Sequence, residues 1–175
     1  MPIGKRLLLP LCLLWLLLWG VGLGAVEAPQ LKAAFLLNFA KFTQWPDPAA
    51  ESISVCFATV AEPVGAALAK LGETRIREGS LVVRRGVRLR DMTGCRIVFL
   101  GAADEHLRRE LLDRLRQQPT LTLSDLAGFA EEGGMIELFL DEGRLRFIIN
   151  LSAIKQADLE VSARLLGLAR GVIRE

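Results

Sequence analysis

Three cysteines and one histidine are the side chains of this 175-residue chain most able to do chemistry. Cys12 lies in an N-terminal apolar run, which leaves Cys56 and Cys95 to the folded part. Neither stands in a C-x-x-C unit, so thiol–disulfide catalysis has no support. One histidine and two cysteines cannot make a common zinc site. His106 has charged neighbours in a helix-forming stretch and reads as a solvated side chain. A Ser-His-Asp triad would have to use it, and no G-x-S-x-G elbow is present. The glycines of "EEGGMIEL" open a strand pattern, not the helix whose N–H groups would cradle a phosphate. Glu131 and Glu132 are adjacent carboxylates; paired carboxylates can move protons, but loop neighbours of this kind are ordinarily solvated. The residues predict no catalytic group, no metal and no cofactor, which points to a binding or interaction domain.

The chain opens with a basic pair, Lys5 and Arg6, an apolar stretch from Leu7 to Leu18, and small residues from Gly20 to Ala25. That order is a secretory signal peptide. Cleavage is expected between 24 and 28, giving a leader over 1–26 and one domain over 27–175. The apolar run is short against the ~20 residues of a membrane span; retention as an inner-membrane anchor is the alternative. Loss of the leader removes two of 22 basic residues and leaves 20 against 20 acidic. A nucleic-acid partner requires a basic face. The only local candidate, "RRGVRLR" at Arg84 to Arg90, alternates with Val87 and Leu89 like the solvent side of a strand, so no nucleic acid is expected. In an oxidising compartment Cys56 and Cys95 form a natural pair; two buried thiols on neighbouring strands are the alternative.

Short elements alternate along the rest of the chain. Leu31 to Phe42 reads as a helix with Leu31, Phe35, Phe39 and Phe42 as one stripe. Leu36, Leu37 and Ala40 then need a second cover, either another helix or a second protomer. Pro46 disfavours helical geometry at Trp45, so the helix must stop there. Ile53 to Ala58, Arg96 to Leu100 and Thr120 to Ser124 read as strands, Leu81 to Leu89 as a strand or a bulged pair around Gly86, and Glu62 to Lys70 as a small helix. A further helix carries Leu107, Leu111 and Leu115, with Asp104 as its cap and Glu105–Arg109 and Glu110–Arg114 as i,i+4 pairs. "GGMIELFLDEGRLRFIIN" reads as a hairpin. An even loop at Glu142-Gly143 puts Ile136, Leu138, Leu140, Leu145, Phe147 and Ile149 on one face; an odd loop mixes the faces. A last helix is expected from about Leu159, with the stripe Val161, Leu165, Leu168 and Val172. The predicted fold is α/β: a single compact domain with a mixed β-sheet, helices on both faces, and a C-terminal antiparallel hairpin followed by a helix.

Two stretches add a resemblance. "KAAFLLNFAKFTQWP", Lys32 to Pro46, follows a K-A-x-x-L-x-x-F-x-x-F-x-x-W-P pattern. Gly128 to Arg170 contains F-x-x-x-G-G-x-I at Phe129 to Ile136 and R-x-R-F-x-I-N at Arg144 to Asn150. With "CRIVFLG" between them, they resemble the signatures of the YfiR/HmsC-like family of periplasmic regulators. The resemblance implies a non-enzymatic, dimeric, redox-sensitive repressor that binds the periplasmic domain of an inner-membrane diguanylate cyclase. Cyclic di-GMP and biofilm formation would then be under its control. It also implies that Cys56 and Cys95 match one cysteine pair of the family; a second pair has no counterpart, because Ala130 and Glu137 stand in that region. The partner surface is sought among Phe42, Trp45, Gly133, Gly134, Phe139, Arg144, Arg146 and Asn150. A periplasmic module for an unknown small ligand, with "EEGGM" and Arg144 or Arg146 lining an anionic site, is the alternative reading.

Overall fold

The computed structural model describes residues 28–47, 52–71, 75–76 and 79–175, so the expected leader lies outside the described residues. Helix α1 (Ala28–Phe42) runs directly into the short strand β1 (Thr43–Gln44). The Thr43 hydroxyl donates to the Phe39 carbonyl (2.8 Å), occupying one of the acceptors that a helix end leaves open. Strand β2 (Ser52–Phe57) leads to α2 (Pro63–Lys70), where Pro63 sits in the first helical turn and Glu62 caps it. Next come β3 (Arg75–Ile76), β4 (Gly79–Arg85) and β5 (Ile97–Leu100), the last two joined through a 3-10 turn at Leu89–Gly94. A second 3-10 turn, Ala102–Leu107, opens into α3 (Arg108–Leu115), followed by β6 (Leu121–Ser124). The hairpin β7 (Ile136–Asp141) and β8 (Arg144–Asn150) precedes α4 (Leu151–Gln156), β9 (Glu160–Val161), α5 (Ala163–Leu168) and β10 (Gly171–Ile173).

The main sheet has eight strands in the order β10-β8-β7-β6-β5-β2-β4-β3. The β7–β8 and β3–β4 pairs are antiparallel and the other neighbours parallel. β1 and β9 form a separate two-stranded ribbon. The hairpin has the even register: Leu140 faces Leu145, Leu138 faces Phe147 and Ile136 faces Ile149. Glu142 (φ 50°) and Gly143 (φ 73°) make the turn, and two left-handed residues match the twist of the strands they join.

Alternation along the strands separates two cores. Val55, Phe57, Ile97, Phe99, Leu121, Leu123, Ile136, Leu138, Phe147 and Ile149 face α1, α2 and the C-terminal segment. Cys56, Val98 and Leu100 face α3, Met92 and Phe129 on the other side. Helices therefore cover both faces of a mixed sheet, with a hairpin and then a helix near the C-terminus, as the sequence predicts.

Five local expectations are corrected. On α1 the fully buried residues are Ala33, Leu36, Phe39 and Ala40, while Leu31, Phe35 and Phe42 are only partly covered. The helix packs against α2 as well as the sheet, and small alanines permit that close approach; α2 supplies the second cover. The strand expected to reach Leu89 ends at Arg85, because Gly86 turns with φ 70°. Val87 then points inward and is buried. Asp104 does not cap α3: it sits inside the 3-10 turn and is 3% exposed. Within that tighter turn Glu105 pairs with Arg108 (3.1 Å) rather than with Arg109, whereas Glu110 and Arg114 pair as expected (3.3 Å). The helix expected from Leu159 is replaced by β9, α5 and β10. Ser162 caps α5, the chain turns extended at Ala169, and the Arg170 N–H donates to the Phe147 carbonyl (2.8 Å). Sheet-edge hydrogen bonds outweigh the helical period there, leaving Leu168 61% exposed.

Candidate functional site

The C-terminal signature builds a loop over 125–135 pinned from three directions. Glu137, buried on β7, accepts the N–H groups of Ala130 (3.1 Å) and Gly128 (3.3 Å). Asn150, at the end of β8, donates its Nδ2 to the Ala130 carbonyl (2.8 Å) and accepts the Ala153 N–H (2.9 Å), capping α4 with the same side chain. Arg108 of α3 reaches the Ala127 carbonyl (3.3 Å) and Glu132 (2.7 Å). Glu137 makes both of these bonds to loop backbone, and Asn150 ties the loop to the first turn of α4, so their identities hold the loop's shape.

The F-x-x-x-G-G pattern has a steric cause. Phe129 is fully buried, and its ring lies against the Gly134 backbone so closely that a Cβ at 134 would overlap the ring carbons. The Gly134 N–H donates to the Phe129 carbonyl (2.8 Å), and Gly133 turns with φ 105°. Gly134→Ala is expected to destabilise by about 1–3 kcal/mol, since a buried ring with no room to move must be displaced. Gly94→Ala, where nothing lies within 4 Å, serves as the control. Urea midpoints of the two variants at unchanged m-value make the comparison.

The residues proposed from sequence fall into separate groups. Phe42 and Trp45 lie at the end of α1 beside the β1–β9 ribbon, half-buried against the α1-side core. The Arg164 guanidinium stands 5.7 Å from the Phe42 ring centre, within cation–π range, and Trp45 Nε1 is buried with no acceptor. Phe139 and Arg146 are register partners on the opposite face of the hairpin, and both are half-buried. Arg146 Nε is also buried with no acceptor. Arg144 is exposed beside the turn, Gly133 is exposed, and Gly134 and Asn150 are buried. The structure thus brings Phe139 to Arg146 across the hairpin and sets Phe42 and Trp45 on the opposite face of the sheet.

Near Gly133 and Asn150 a cavity of about 270 Å³ opens, lined among others by Arg116, Thr122, Glu131, Ser152 and Gln156. Its lining mixes neutral amides and hydroxyls with Arg116 and the carboxylates of Glu131, Glu132 and Glu175, and the expected anionic site is corrected: neither Arg144 nor Arg146 lines it, and carboxylates outnumber the one cation. Cys56 of β2 and Cys95, just before β5, are bonded through their sulfurs, with Cα atoms 6.1 Å apart. Both are buried under Met92 and Val98 in the α3-side core.

A charged cluster escapes sequence reading. Lys32 of α1 pairs with Asp125 after β6, while Glu62 after β2 and Asp104 after β5 are both buried. The sequence signals two members, each only as a helix cap, Glu62 before Pro63 and Asp104 before the next helix; their meeting with Lys32 and Asp125 joins distant segments. Among the described residues no group of three or more His, Cys, Asp or Glu is placed to hold a metal ion. Among them, too, no helix is long and apolar enough to cross a membrane.

Two solved structures share the fold. A conserved domain protein from Vibrio cholerae matches with TM-score 0.52 at 13% identity, over 83% of this chain and 60% of that one. A structure described as an ABC domain in complex with L-Trp, from Streptococcus, matches with TM-score 0.58 at 11% identity, over 81% of this chain and 60% of that one. The chain therefore spans 60% of the length of each, and at such identities the likeness is one of fold. The family profile described as YfiR/HmsC-like matches residues 29–170, from the start of α1 to the threshold of β10. With both signatures inside that single match, the chain belongs to the YfiR/HmsC-like family.

Proposed function

We propose that this protein is a non-enzymatic periplasmic repressor of an inner-membrane diguanylate cyclase. The carrying observation is the family match over 29–170, since the role implied for that family is periplasmic regulation of diguanylate cyclases. In this reading the leader over 1–26 is removed on export and the domain over 27–175 works as a homodimer. It binds the cyclase's periplasmic sensor domain and so restrains cyclic di-GMP synthesis and biofilm formation. Repression requires that the bound state prefer the inactive cyclase; a ~10⁴-fold preference, about 5.5 kcal/mol, moves a two-state equilibrium from 99:1 to 1:99.

For the contact surface, the open face of the hairpin supports a partner best. Phe139 and Ile148 are half-buried there and belong to neither core, and they flank the Arg146 guanidinium. Aromatic and arginine side chains so placed are the usual anchors of an interface.

Deleting the gene is expected to raise cellular cyclic di-GMP, and only an exported copy should reverse the rise. A leaderless copy that complements, or no rise while the candidate cyclase is expressed, would overturn the reading. The cavity beside Asn150 favours a second reading, a small-ligand module. A rise in melting temperature on adding nucleotides or amino acids would support it.

A further inference from the structure

The charged cluster lies at a particular place in the topology. Parallel strands β2, β5 and β6 are neighbours and end at one edge of the sheet. The chain leaves β2 toward β4 on one side and leaves β5 toward β6 on the other. Open α/β sheets form their crevice at such a switch point, outside the carboxyl ends of the strands. Here that position is occupied by the protein's own carboxylates: Glu62 after β2, Asp104 after β5 and Asp125 after β6.

Glu62 and Asp104 are closed off from water, the Lys32–Asp125 pair keeps 19% and 17% of its side-chain exposure, and the cluster is short of hydrogen-bond donors. Glu62 is 5% exposed and Asp104 is 3% exposed. The Gly101 backbone lies so close to Glu62 that a Cβ there would overlap its carboxylate. Glu62 Oε1 accepts the Val64 N–H (3.0 Å), and Asp104 Oδ1 accepts the Thr59 hydroxyl (2.6 Å). Asp125 Oδ2 takes the Lys32 ammonium. Asp104 Oδ2 and Asp125 Oδ1 are both buried with no donor. Three carboxylates are therefore gathered near one ammonium that only Asp125 contacts, and two acceptor oxygens are unmatched. A single proton on Glu62 eases both faults: it leaves two negative charges near the one ammonium, and its O–H is a donor for one of the two unmatched oxygens.

We propose that Glu62 takes up a proton in the folded protein as its surroundings acidify, and that this proton latches the loops after β2, β5 and β6 to α1 through Asp125 and Lys32. The chemistry agrees in direction. Burial pushes the Glu62 carboxyl above the ordinary carboxylate range; the Val64 N–H opposes this, the charges of Asp125 and Asp104 add to it, and Lys32 opposes it. A group whose pKa is raised on folding contributes stability that is complete below its unfolded pKa. That stability is lost as pH rises through the folded value. The latch therefore tightens with acidification and loosens as the surroundings become alkaline, which ties the position of α1 to the acidity of its compartment.

The test is thermal unfolding of the whole protein, as its host produces it, from about pH 4 to about pH 8, for wild type and Glu62→Gln. Glutamine keeps the acceptor for the Val64 N–H and supplies a permanent N–H donor in place of the proton. The variant should melt ~3 °C above wild type at neutral pH, with the gap closing toward acid. A variant that melts at or below wild type throughout overturns the proposal. Infrared spectra provide an independent readout. Wild type should keep a carboxylic-acid carbonyl band above the pH at which ordinary carboxylates ionise, and Asp104→Asn should move its loss to lower pH. A wild-type spectrum without that band, or a band unmoved by Asp104→Asn, overturns the proposal even if Glu62→Gln does not fold.

Discussion

Serine at both Cys56 and Cys95 is expected to lower folding stability by roughly 4 kcal/mol. The bond joins residues 39 apart in sequence, and in the chain-entropy account a loop of that size restricts the unfolded chain by about this much. The site adds to the effect. Cys56 is fully buried and Cys95 is 2% exposed, so both hydroxyls would enter an apolar cluster containing Met92, Val98 and Leu100. The melting midpoint should fall by about 10 °C, and wild type treated with a reductant should fall in parallel. The bond ties β2 to the segment entering β5, and these strands are direct neighbours. Loosening that junction is the physical route by which reduction could weaken repression. A double-serine protein that remains folded and represses like wild type would remove any switching role and leave the bond purely structural.

Phe39→Ala is expected to cost about 3–5 kcal/mol, the range for truncating a buried aromatic. Phe39 is 1% exposed. Its ring meets Phe147 of β8 at 5.1 Å and Phe35 at 5.9 Å, both edge-on. Removing it opens a cavity between α1 and the hairpin and dismantles both ring pairs. A fall in urea midpoint of that size, with m unchanged, is the expected reading. Phe42→Ala provides the contrast. Its ring is only half-buried, beneath Arg164, so its stability loss should be much smaller. Should Phe42 instead meet a partner, the loss will appear in repression.

Both variants test positions where sequence and structure gave different amounts of information. Phe39 was placed correctly in the core, but its three stripe-mates Leu31, Phe35 and Phe42 are only partly covered. Helical period locates a face to within the width of a side chain. It cannot tell whether bulky residues or alanines mark the line of closest approach, and α2 decided that. The C-terminal segment shows the same limit more strongly. Val161, Leu165, Leu168 and Val172 fit a helical stripe, yet only Leu165 is buried and the chain spends its backbone hydrogen bonds on β9, α5 and β10 instead. Of the candidate site, the residue types were legible and their grouping was not. Phe139 and Arg146 could be paired from hairpin parity, whereas their separation from Phe42 and Trp45 by the thickness of the sheet could not.

By itself the sequence determined what depends on neighbours along the chain. The hairpin register followed from a period of two, since a one-residue slip would expose the whole apolar face. The end of α1 followed from Trp45-Pro46, and the α/β class from the alternation of element types. The tertiary structure alone decided what depends on segments meeting. Lys32 and Asp125 are 93 residues apart, and Glu62 and Asp104 join them only because β2, β5 and β6 end side by side. Gly134 looks like any loop glycine until Phe129 is seen folded over it. Local pattern carries periodicity and backbone preference. Burial, charge neighbourhood and steric exclusion are properties of an environment assembled from distant parts of the chain, and those set the behaviour of Glu62 and Gly134.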